Sequence, residues 1–159
     1  MAVQVPPLDH RAYPRHAASP AATVATPQAA VAGLVPPLDR AWVDRLVGAG
    51  DGLTPFGDDV LCGWLATHRA AGVATPGVDA AVRAGMPRTT LLAATLLDCA
   101  MHGEVLPQLG HYLAAAGTPG EARAAVALRA VGGSSGEGLL LGARLALDEL
   151  STRAFEGAA

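Results

Sequence analysis

Apolar residues recur at helical spacing along most of the chain. Trp42, Val43, Leu46 and Val47 form one such face, with Asp39 placed to cap it and Gly48-Ala-Gly-Asp-Gly52 to end it. Thr54-Pro55 then reads as an N-cap and first helical residue ahead of Val60, Leu61, Trp64, Leu65 and His68, and Gly72 closes that helix. A short helix is predicted over 76–84, a turn at Gly85-Met-Pro87, and a longer helix over 88–102 with Leu91, Leu92, Thr95, Leu96 and Cys99 as its stripe. Two Ala-rich helices follow over 106–116 and 120–130, parted by Gly117-Thr-Pro119. The last helix, from Gly136 to about Phe155, is apolar on most sides and belongs near the centre. The pattern predicts a mainly α fold, a compact single-domain bundle of six or seven helices over 39–155.

Residues 1–38 lack both helical and strand periodicity. Pro6, Pro7, Pro14, Pro20, Pro27, Pro36 and Pro37 stand among Ala, Thr and Val, which predicts a Pro/Ala-rich arm, extended or mobile. The pentapeptide VPPLD occurs at 5–9 and again at 35–39, readable as a duplicated docking segment or as a chance echo.

Composition narrows the chemistry. A chain of 159 residues that is 51% hydrophobic has room for one core, and 4% aromatic content favours closely packed helices over sheets. All 11 cationic side chains are Arg, so Schiff-base and Walker-type lysine chemistry have no residue to act through. A net charge of -3 without a basic stripe argues against nucleic acid as a partner and leaves small anions open. Cys62 and Cys99 lie inside apolar helical patterns, which predicts buried free thiols and a reducing cytoplasm. The first residues contain no apolar h-region, and Asp98 and Arg144 interrupt the longest apolar runs, so neither secretion nor a membrane partner is expected. His68, His102 and His111 are not at zinc-ligand spacing, and neither a serine elbow, a Cys-His pair nor a dinucleotide fingerprint occurs.

Two segments repeat each other without gaps. Gly57-Asp-Asp-Val-Leu-Cys-Gly63 aligns with Gly136-Glu-Gly-Leu-Leu-Leu-Gly142, and each follows a Gly-rich turn bearing Thr or Ser. Backbone N–H groups at two such helix starts suit an anion. Gly63 and Gly142 remove side chains where another helix can approach, so the two helices are expected to pack together and bring both loops to one end. The predicted substrate or anion site comprises Thr54, Gly57, Arg88, Thr89, Ser134, Ser135, Gly136 and Glu137, with Asp58 and Asp59 as catalytic candidates. The same two aspartates are the only candidates for a Mg2+ site, and no other cofactor is evident. Ordinary capping also accounts for these residues and is the simpler reading of the local signals, since acids suit a first helical turn and Ser134 to Glu137 is a capping box.

Gly52-Leu-Thr-Pro-Phe-Gly-Asp-Asp-Val-Leu-Cys-Gly63 resembles the GLTPSGDD signature of the AllH-type family. Arg88-Thr-Thr-Leu-Leu-Ala-Ala-Thr-Leu-Leu97 with Gly103-Glu104 is similar to its middle segment, and Val131-Gly-Gly-Ser-Ser-Gly136 to its GHSSG-containing end. Phe56 stands where the family usually has Ser, Gly133 where it usually has His, and members are typically longer at the N-terminus. The resemblance implies a subunit of oxamate carbamoyltransferase, working with other protein subunits on a small anionic substrate in allantoin breakdown. Two alternatives accompany it, a non-catalytic helical partner and a small-anion binding module.

Overall fold

Asp39 accepts a hydrogen bond from Trp42 N at 3.0 Å, and behind this cap α1 runs Arg40–Leu46. The computed structural model describes residues 3–4 and 37–156. The predicted arm therefore lies almost wholly outside the described residues, as do the first VPPLD and the start of the second. Of the first residues, Val3–Gln4 forms a short strand, β1.

The remaining helices follow the predicted order, with one short strand that was not expected: α2 Phe56–Ala70, α3 Pro76–Gly85, a 3-10 turn Met86–Arg88, α4 Leu91–Met101, the strand β2 Glu104–Val105, α5 Pro107–Ala115, α6 Glu121–Arg129 and α7 Ser135–Glu156. The two strands pair antiparallel, Val3 against Val105 and Gln4 against Glu104. Among the described residues no helix is long and apolar enough to cross a membrane. The fold is a compact helical one in which α2 and α7 share the largest packing surface.

Three local expectations are corrected. Thr54 is not the cap of α2: Pro55 holds that place, and the Thr54 hydroxyl bonds Ser135 instead. Arg88 does not open α4 but ends the 3-10 turn, and Thr90 caps the helix by accepting from Ala93 N. The α4 stripe is inverted. Leu91 and Leu92 are 86% and 47% exposed, whereas Ala93, Leu97, Ala100 and Met101 are buried. Those four also obey helical spacing, and α4 lies on α2 with its small residues inward. Cys99 is only half-buried, while Cys62 is buried as expected.

Helices α2 and α7 run parallel with their starts side by side. A Cβ on Gly63 would lie 2.1 Å from Leu139 O, and one on Gly142 would lie 1.9 Å from Val60 O. These contacts exchange under the alignment of the two segments, which is the mark of a pseudo-twofold axis between the helices. The symmetry reaches further back than the sequence match. Gly57 packs on Leu46 O at the end of α1, and Gly136 on Leu128 O near the end of α6. Likewise Gly57 N bonds Ala49 O while Gly136 N bonds Val131 O. The pairs α1–α2 and α6–α7 are thus two copies of one unit, with a shorter connection in the second.

Candidate functional site

At the paired helix starts, residues far apart in sequence meet. Thr54 Oγ1 and Ser135 Oγ are 2.7 Å apart. The Ser135 hydroxyl also lies near the carboxyl of Asp59, which sits against Gly138. Asp59 and Gly138 are equivalent positions of the repeat, so this contact lies on the axis itself. Only one of the two can carry a side chain, because a Cβ on Gly138 would lie 2.7 Å from Asp59 Cβ.

Beside this junction lies a cavity of about 190 Å³, whose wall includes Thr54, Asp59 and Ser135. Leu96, Leu109 and Leu139 make the lining mostly apolar. Asp59 is 3% exposed, and its Oδ2 has no hydrogen-bond partner among the described residues. Burial pushes this carboxyl up to about 7, the nearby Ser135 hydroxyl opposes the rise, and the Asp58 charge adds to it. Near neutrality Asp59 therefore carries or releases a proton readily. Cys62, also on the wall, is held well above its ordinary value by burial and then by the charges of Asp59 and Asp58, and stays a thiol.

Asp58 has a different role. One oxygen accepts from Gly48 N at 2.9 Å and the other from Thr89 Oγ1 at 2.5 Å, which ties the Gly-rich loop and the start of α4 to α2. Burial raises its carboxyl, and the hydrogen bonds of Thr89 and Gly48 and the charge of Arg88 pull the other way. Gly57 and Gly136 are buried packing contacts rather than parts of the cavity wall. Arg88 turns its guanidinium to Asp44, 2.8 Å from the carbonyl and 3.5 Å from the carboxylate. Glu137 is exposed and pairs with Arg129 at 3.5 Å. Ser134 gives its carbonyl to Gly138 N. Of the residues singled out in the sequence, Thr54, Asp59 and Ser135 come together on the cavity, with Asp58 and Thr89 bonded to each other behind it.

The first-turn amides are largely used. Asp58 N and Asp59 N bond Pro55 O, and Gly57, Gly136 and Gly138 amides have the carbonyl partners given above. Side chains, more than backbone N–H groups, make this site. Among the described residues no three His, Cys, Asp or Glu side chains gather to hold a metal ion.

At the other end of the helix pair is a cluster that sequence reasoning missed. His68 is fully buried, its Nδ1 3.0 Å from Trp64 O and its ring centroid 3.8 Å from that of Trp64. Trp64 Nε1 donates to Glu149 Oε2 at 3.2 Å, and Arg153 donates to Glu149 Oε1 at 2.6 Å. Burial alone would raise the Glu149 carboxyl, but His68, Arg153 and Trp64 together hold it below its ordinary value. The four-residue spacings 64–68 and 149–153 were the available signal, and only the pairing of α2 with α7 joins them.

Among family models, one described as oxamate carbamoyltransferase subunit AllH matches residues 46–147. No curated protein and no solved structure matches the chain.

Proposed function

The chain belongs to the AllH family of oxamate carbamoyltransferase subunits, and from that premise we propose that it serves carbamoyl transfer between oxalurate and phosphate, holding a small substrate in the α2–α7 cavity. The observation that carries this reading is the unpartnered, buried Oδ2 of Asp59, a residue of that cavity's wall, beside the Thr54–Ser135 bond.

In the reaction, the bond from the carbamoyl carbon to the oxalurate nitrogen breaks and one to a phosphate oxygen forms, giving oxamate and carbamoyl phosphate. The proton of hydrogen phosphate ends on the departing nitrogen. A carboxyl that titrates near 7 suits that proton's passage, since a general acid-base group works best near the operating pH. Asp58 positions: it fixes the Gly-rich loop and α4 against α2. The family's description as a subunit fits an enzyme completed by other protein subunits.

The test is formation of carbamoyl phosphate by the assembled enzyme. Asp59→Asn keeps the shape and removes the titration, with an expected loss of turnover of about 10²- to 10⁴-fold. Unchanged turnover in that variant rejects a catalytic Asp59. It favours a second reading, a non-catalytic helical partner, to which the burial of Phe56 in place of the family's usual Ser also points.

A further inference from the structure

The cavity's polarity selects its guest, given the reading above that it is a ligand site. Among the described residues no Arg lines it, and Glu104 at its edge adds a second acid to Asp59. A phosphate or carboxylate inside would meet like charges with no cation to offset them, in surroundings of low polarity where repulsion is strong. The two hydroxyls are already engaged with each other, Thr54 with Ser135. What remains is Asp59 Oδ2, unpartnered on a side chain 3% exposed. A buried carboxylate oxygen without a partner calls for a donor from whatever fills the space.

We propose that the cavity binds the primary-amide, carbamoyl end of the substrate, with the amide N–H donated to Asp59 Oδ2 and the flat amide resting against Leu96, Leu109 and Leu139, so that the anionic end lies outside. A primary amide carries both donors and an acceptor, and therefore bonds the carboxyl in either protonation state. An anion can bond only the protonated form.

The full-length chain, labelled with 15N, is titrated at pH 8 in turn with propionamide, propionate and inorganic phosphate. The expected result is a saturable shift of the backbone resonances of Thr54, Asp59, Cys62 and Ser135 with propionamide, at a Kd of about 1–10 mM. Propionate and phosphate are expected to bind at least roughly tenfold more weakly, and Asp59→Leu to weaken propionamide by a similar factor. Propionate or phosphate matching propionamide overturns the proposal in favour of an anion site. No saturable shift with propionamide overturns it outright, and the wild-type series decides this even if Asp59→Leu fails to fold. A propionamide response in a complex that makes no carbamoyl phosphate removes the transferase reading and leaves the amide cavity. Silence toward propionamide in an active complex does the reverse.

Discussion

Asp58 and Asp59 are neighbours that the sequence could not tell apart, because nothing local says which oxygen will find a partner. The fold decides it. Asp58 is turned to Gly48 and Thr89, while Asp59 is turned to Ser135 and an apolar cavity built from α4, α5 and α7. The carboxyl of Asp59 is raised from 3.8 to about 7 by burial first, so the folded chain binds a proton that the unfolded chain has released between those values. Its contribution to stability is complete below 3.8 and is lost as pH rises through about 7. Denaturant unfolding of wild type and Asp59→Asn across that window should show the wild type losing a few kcal/mol relative to the variant as pH rises. A constant difference would mean that Asp59 titrates at its ordinary value. Phe56 and Gly133 stand where the family usually has Ser and His. Phe56 is buried, Gly133 is exposed, and the hydroxyls on the cavity come from Thr54 and Ser135.

Among the elements, glycine spacing proved the readable signal and hydrophobic bulk the misleading one. Gly63 and Gly142 announced a close helix pair because only a missing side chain allows one backbone to reach another, and both fall on carbonyls of the partner helix. The α4 stripe failed for a related reason. Its inner face carries Ala93 and Ala100, which bury less apolar area than leucine but permit close approach, and Leu91 and Leu92 were left outside. Either Gly63→Ala or Gly142→Ala must push α2 and α7 apart against backbone atoms that have no alternative rotamer. Such overpacking costs about 3 kcal/mol, a fall in Tm of roughly 10 °C by calorimetry. Gly72→Ala is not a fair control, since that residue has φ +69 and opposes any side chain. Gly77, helical and with open space around it, is. A Gly63→Ala chain as stable as Gly77→Ala would show that the helices are not in backbone contact.

At the scale of the molecule, the helix pair has a cavity at one end and a buried polar cluster at the other. The seven-residue match revealed the axis but not its extent. The preceding helices α1 and α6 share no obvious sequence, and their equivalence rests on Leu46 and Leu128 presenting carbonyls to Gly57 and Gly136. The far-end cluster was invisible because Trp64 and Glu149 are joined only by the fold. Glu149→Ala strands the buried indole N–H of Trp64 and removes the carboxylate 3.8 Å from His68 Nε2, and should destabilise the chain by about 3 kcal/mol, with Glu149→Gln losing less. Propionamide affinity in Glu149→Ala, measured where the chain is still folded, should match wild type, and a matching loss would mean that the two ends are coupled.

The meeting of Asp59 with Gly138 sets a condition on how such a junction can be made. Two identical halves associating freely would present the same residue twice at that point, so the result would be either two acids colliding or none at all. A tandem chain escapes the dilemma, since each half can be altered without its twin. The lone acid is thus a property that covalent linkage permits and self-association of one short unit forbids.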